Sequence, residues 1–164
     1  MKKLIYSFAV ITLFCCVWSC KEKPREQQKQ EFQAGLTEAD STQMLQLCDQ
    51  CMELLKAGEI DQALDMIYYY DEENHDVEEL PKAFRESFRH MFQMFPVCEY
   101  ERSYYSFQLE GCNDVKYMVT FEEMEDPSEP NPYKTSFMFN PVKVDGQWYV
   151  TMKTATQDID ESRR

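Results

Sequence analysis

The residues best equipped for chemistry are the cysteines, one acidic run and a set of aromatic side chains. Cys48-Asp49-Gln50-Cys51 places two thiols three positions apart. Such a pair exchanges disulfides when a helix N-terminus lowers one thiol pKa. Around it, Met44, Leu47, Cys48, Cys51, Leu54 and Leu55 recur at spacings of three and four, which predicts a helix running through the motif. The pair then lies inside a helix with no strand before it, where core packing or a structural disulfide is the expected role. Cys98 and Cys112 complete four cysteines in the body of the chain, and four allow three full pairings. Cys48, Cys51 and Cys98 are the candidate structural cysteines.

Asp71-Glu72-Glu73-Asn74-His75-Asp76 has the side chains of a calcium loop, but Asp76 stands where an EF-hand-type loop needs its glycine. A solvated connection between helices is the expected role. His75 and His90 show no paired ligand spacing, so no metal site and no cofactor are expected. The acidic Glu122 to Pro132 stretch carries three prolines and is expected to be a loop. Tyr105, Tyr117, Phe121, Phe137 and Trp148 are the candidate lining of a ligand pocket. No carboxylate or histidine falls in their strand phase, so no catalytic residue is expected and binding is favoured over catalysis.

Thr37 or Ser41 opens the first helix and Gly58 closes it. A second helix is expected from Ile60, with Ala63, Leu64, Ile67 and Tyr68 on one face. A third is expected from Val77 or Pro81 to Phe95, with Leu80, Phe84, Phe88, Met91 and Phe92 as its stripe. The period then changes to two. A five-residue loop, Glu110 to Asp114, sets Leu109 against Val115, Phe107 against Tyr117 and Tyr105 against Val119. Before Ser103 the alternation slips phase, which predicts a bulge. Asp145-Gly146 reads as a type I′ turn that sets Trp148 against Lys143, Val150 against Pro141 and Met152 against Phe139. The expected fold class is α+β, with three N-terminal helices packed on a curved four-stranded antiparallel sheet.

Lys2 and Lys3 precede an almost unbroken apolar run from Leu4 to Trp18, followed by Ser19-Cys20-Lys21. The run is shorter than the roughly 20 residues of a membrane span. It resembles a bacterial lipoprotein signal, and that resemblance implies cleavage before Cys20 and acyl chains on its amine and thiol. It also implies an outer-membrane location, because Lys21 stands where an Asp often marks inner-membrane retention. Residues 20–36 are then a lipidated N-terminus and flexible tether, 37–156 one domain and 157–164 a charged tail. Cleavage takes 19 residues and two positive charges from a chain of 164 with net charge −13, leaving 145 residues at −15. Such acidity excludes a nucleic-acid backbone as partner and gives no attraction to anionic lipid head groups. The acyl chains on Cys20 are the expected membrane contact.

The segment Leu54-Leu55-Lys56-Ala57-Gly58-Glu59-Ile60-Asp61-Gln62-Ala63-Leu64 has a helix, a glycine and a short second helix. With the strands that follow, the body resembles nuclear-transport-factor-like and SnoaL-like domains of the cystatin-like superfold. That resemblance implies a cone-shaped fold. The expected function is an exported, membrane-anchored protein whose non-catalytic domain binds a small molecule, a peptide or an envelope protein. Two alternatives stand beside it. One is an isomerase- or hydrolase-like enzyme on the same fold, with His90 or a helix-borne acid as base. The other is an assembly subunit whose sheet face pairs with a partner or with a copy in a homodimer.

Overall fold

The computed structural model describes residues 24–122 and 133–153. The segment expected to be a signal, with Cys20, most of the Glu122 to Pro132 stretch and the expected charged tail lie outside these residues.

Residues 25–35, expected as coil, form helix α1 (Arg25–Gly35). Its Gln, Glu, Lys and Ala content is made of good helix formers. Phe32 and Gln33 tie it down: the Phe32 ring meets Trp148 edge-on at 6.4 Å, and Gln33 Nε2 donates to the Phe107 carbonyl at 2.7 Å. Helix α2 (Glu38–Lys56) starts from a capping box. The Asp40 amide donates to Thr37 Oγ1 at 3.2 Å, and the Thr37 amide returns a bond to Asp40 Oδ2 at 3.0 Å. Met44, Cys48, Cys51, Met52 and Leu55 form its buried stripe. It ends in a Schellman arrangement: Glu59 N donates to Leu54 O and Gly58 N to Leu55 O, with Gly58 at φ +77°.

Helix α3 (Ile60–Asp65) is shorter than the spacing of Ala63, Leu64, Ile67 and Tyr68 predicts. Ile67-Tyr68-Tyr69-Tyr70 is β-branched and aromatic, and it forms strand β1 (Ile67–Asp71) instead. Asp71 then turns the chain by accepting from the Glu73 and Asn74 amides at 2.9 and 3.2 Å, and β2 (Asp76–Glu79) pairs back on β1. The acidic run is thus a hairpin turn, where a helix–helix connection was expected. Helix α4 (Lys82–Met94) begins at Pro81, one of the two expected starts, and buries Phe88 and Phe92.

Strands β3 (Glu99–Leu109), β4 (Cys112–Thr120) and β5 (Lys134–Phe139) form an antiparallel sheet in that order. Strands β6 (Val142–Val144) and β7 (Gln147–Thr151) join β1 and β2 in a second sheet ordered β2-β1-β7-β6, in which β1 runs parallel to β7. The expectation of three helices on a single four-stranded antiparallel sheet is therefore corrected. The described residues hold four helices and seven strands in two sheets, one of them mixed. The sheets separate at Asn140-Pro141. Pro141 has no amide to give a ladder. Asn140 bonds to both sides of the junction: its Nδ2 donates to Asp114 Oδ1 at 2.9 Å, and its Oδ1 accepts from the Lys153 amide at 3.1 Å.

The β3–β4 register also differs from the expected one. Tyr105 faces Val115, Phe107 faces Asn113 and Arg102 faces Tyr117, so the turn is the two residues Glu110-Gly111. Buried Asn113 explains the shift. Its Nδ2 donates to the Leu109 and Pro141 carbonyls at 2.6 and 3.0 Å, and its Oδ1 accepts from the Gln108 amide at 3.0 Å. A polar side chain that replaces strand hydrogen bonds is invisible to an alternation rule. The expected bulge is present between Arg102 and Tyr104. At the other hairpin Lys143 faces Trp148 as expected, with positive φ at Asp145 and Gly146. The core lies between α2, α3, α4 and the inner faces of the sheets.

Candidate functional site

The second face of α2 carries Gln46, Asp49, Gln50 and Glu53, spaced i, i+3, i+4 and i+7, which aligns them along the helix. Opposite stand Tyr100 and Arg102 on β3, held in phase with β4 by their pairing with Val119 and Tyr117. These six side chains line a groove of about 610 Å³, a volume within the range of ~300–1,000 Å³ usual for ligand sites.

Two tyrosines hold the two carboxylates. Tyr117 Oη donates to Asp49 Oδ1 at 2.6 Å, and Tyr100 Oη donates to Glu53 Oε1. The phenol rings meet edge-on at 5.7 Å. Burial first, and then the hydrogen bond to Asp49, raises the Tyr117 pKa. Burial and the bond to Glu53 do the same for Tyr100. Both phenols thus remain neutral donors at any ordinary pH and fix which carboxylate oxygen each one occupies. Arg102 Nη1 lies 3.6 Å from Asp49 Oδ2, an ion pair longer than a direct hydrogen bond. Glu53 Oε2 and the Gln46 and Gln50 amides make no hydrogen bond among the described residues.

The aromatic residues expected to line one pocket are spread over several places. Tyr117, Phe137 and Trp148 are buried in the core. Phe137 packs edge-on against Phe92 at 5.3 Å, and Trp148 against Phe107 at 5.9 Å. Phe121 is half-buried between Phe95 and Tyr133, and Tyr105 is 52% exposed. Of the five, Tyr117 bonds to a groove residue, its hydroxyl donating to Asp49 from beneath the surface.

Cys48 and Cys51 have no exposed surface. Burial raises both thiol pKa values, Cys51 to about 12, so neither is a ready nucleophile near neutral pH. Cys51 Sγ donates to the Ala63 carbonyl at 3.7 Å and so ties α2 to α3. Cys48, Cys51 and Cys112 form no disulfide among the described residues. Cys98 sits half-buried at the start of β3, where its amide donates to the Thr120 carbonyl at 2.9 Å, and Cys112 stands at the far end of the hairpin. His90 is exposed on α4, and the His75 ring bonds to Tyr70 Oη at 3.0 Å. Among the described residues no group of three metal-type ligands converges. The groove went unseen in the sequence because its acids come from a helix. The available signal was a second, polar stripe at helical spacing beside the apolar one.

No family profile and no curated protein matches this chain. Among solved structures it is similar to an NTF2-like protein from Campylobacter jejuni, with 15% identity and a TM-score of 0.42 over 66% of this chain and 96% of that one.

Proposed function

We propose that this chain is an exported, lipid-anchored binding protein whose domain is of the nuclear-transport-factor-like kind and whose ligand site is the groove between α2 and β3. One observation carries the binding reading. Six polar or aromatic side chains from two elements converge on an open groove, while Phe137, Trp148 and the other core residues are buried. The two phenols orient the carboxylates and stay protonated, which fixes the donors and acceptors that border the groove. Anchoring rests on Lys2, Lys3, the apolar run from Leu4 to Trp18, and Cys20. The outer membrane is the proposed location. Helices ahead of a bulged antiparallel sheet support the assignment of fold kind.

Native mass spectrometry of the protein extracted from its own host tests both parts. The expected result is an N-terminus at Cys20 bearing acyl chains, and a co-purifying mass lost from the Gln50→Ala and Tyr100→Ala variants. An unmodified Cys20 or a retained Met1 refutes the anchor. A bound mass that survives both substitutions removes the groove as its site, and an empty dimer favours the assembly role.

A further inference from the structure

We infer that the ligand of the groove is a neutral, polyhydroxylated chain, a saccharide; this rests on the groove being the binding site. The argument starts from the shapes of the six lining groups. Gln46 and Gln50 end in amides, Asp49 and Glu53 in carboxylates, Arg102 in a guanidinium and Tyr100 in a phenol ring. All six are flat. A flat two-atom group can pair with two neighbouring hydroxyls at once: a carboxylate accepts from both, an amide accepts from one and donates to the other, and a guanidinium donates to both.

The mixture of donors and acceptors selects among ligand classes. An anion meets Asp49 and Glu53. An organic cation satisfies those carboxylates but leaves Arg102 and the N–H groups of both amides facing a group that cannot accept. Each unmatched polar group that loses water on binding weakens the complex. A hydroxyl both donates and accepts, so a hydroxylated ligand can use every member of the set. The two carboxylates are also each half-engaged, Asp49 with Tyr117 and Arg102, Glu53 with Tyr100, which blunts the field a cation would seek. Tyr100 lines the groove, and its ring is the apolar member of the set, suited to the C–H face of a sugar ring. Gln46, Gln50 and Glu53 are exposed along two turns of the helix, a line of contacts that a chain can follow.

The test uses the detergent-extracted full-length protein on an array of neutral oligosaccharides, followed by calorimetry with the strongest binder and, separately, with spermidine. A neutral oligosaccharide is expected to bind saturably, with affinity changing less than about twofold between low and high salt because no net charge is neutralised. Gln50→Ala and Tyr100→Ala are each expected to weaken it at least tenfold. Tyr100→Phe, which keeps the ring, is expected to weaken it less, and circular dichroism checks that each variant is folded. Binding of spermidine that falls steeply with salt and is lost in Glu53→Gln, with no glycan bound, overturns the saccharide while leaving the groove as the site. Glycan binding that is unchanged in Gln50→Ala and Tyr100→Ala overturns the groove itself. An array with no neutral glycan bound overturns the ligand class.

Discussion

Helix α2 carries acids in two places, and the two are treated in opposite ways. At its N-terminus Asp40 is saturated. Its Oδ1 accepts from Lys143 Nζ at 2.6 Å and Trp148 Nε1 at 3.3 Å, while its Oδ2 accepts from the Thr37 amide and hydroxyl at 3.0 and 2.8 Å. About two and a half and three and a half turns further on, Asp49 and Glu53 each accept one phenol; Asp49 Oδ2 lies 3.6 Å from Arg102 Nη1, and Glu53 Oε2 makes no hydrogen bond among the described residues. A carboxylate whose lone pairs are all filled by the protein is a fastener. One that is oriented by a buried donor but only half-filled is open to a ligand. Asp40 joins α1's neighbour residue Thr37, the start of α2 and the β6–β7 hairpin, whereas Asp49 and Glu53 border a space.

This contrast is broken most forcefully at Asp40. Asp40→Ala is expected to lower stability by about 2–3 kcal/mol, since it removes charge-assisted bonds and strands the Lys143 ammonium. Urea unfolding measures it, and a loss below about 0.5 kcal/mol, the level of an ordinary surface change, removes Asp40 as a fastener. The same residue sets an acid limb. The Lys143 hydrogen bond first, then the bonds from Thr37, hold the Asp40 carboxyl well below its ordinary value of 3.8. A lowered folded-state pKa contributes stability that is complete above 3.8 and is lost as pH falls toward the folded value. Stability of the native chain is therefore expected to decline below pH 3.8, and Asp40→Asn to flatten that decline; equal slopes in the two proteins would show that Asp40 does not govern it.

The next effect is smaller. Tyr117→Phe deletes a buried hydroxyl but leaves its partner Asp49 able to turn to water, because that side chain is 38% exposed. A loss of about 1 kcal/mol is expected, the usual net worth of one hydrogen bond. A loss as large as that of Asp40→Ala would place Asp49 among the fasteners and erase the difference between the two acid sites.

Particular residues show why only part of this was legible. The buried stripe of α2, the Gly58 stop, the Pro81 start, the bulge near Ser103 and the Asp145-Gly146 turn all follow from local chemistry, and each is in the structure. What failed was long-range. Ile67 and Tyr68 keep helical spacing with Ala63 and Leu64, yet pairing with Val150 and Thr151 makes them strand. Asn113 breaks the apolar alternation and was read as loop, although its amide fixes the hairpin through carbonyls as distant as Pro141. The groove depends on Arg102 sharing a face with Tyr100, which holds only because the bulge falls after Arg102 and before Tyr104. Asp49 sits inside the C-x-x-C motif, and the spacing of the two thiols carries no sign that the residue between them lines the groove.

The smallest expected effect separates the two acid sites most cleanly. Gln46 and Gln50 are exposed and make no hydrogen bond among the described residues, so truncating either removes no interaction that holds the fold. Alanine is also a better helix former than glutamine by a small margin. The double variant Gln46→Ala/Gln50→Ala is therefore expected to keep its unfolding midpoint within the change of about ±0.5 kcal/mol typical of surface sites. A residue that costs nothing in stability but removes binding belongs to the ligand, and one that costs stability whatever is bound belongs to the fold. If the double variant proves strongly destabilised, the polar face of α2 supports the domain in a way the hydrogen bonds do not reveal, and the groove loses its standing as a surface left free for a partner.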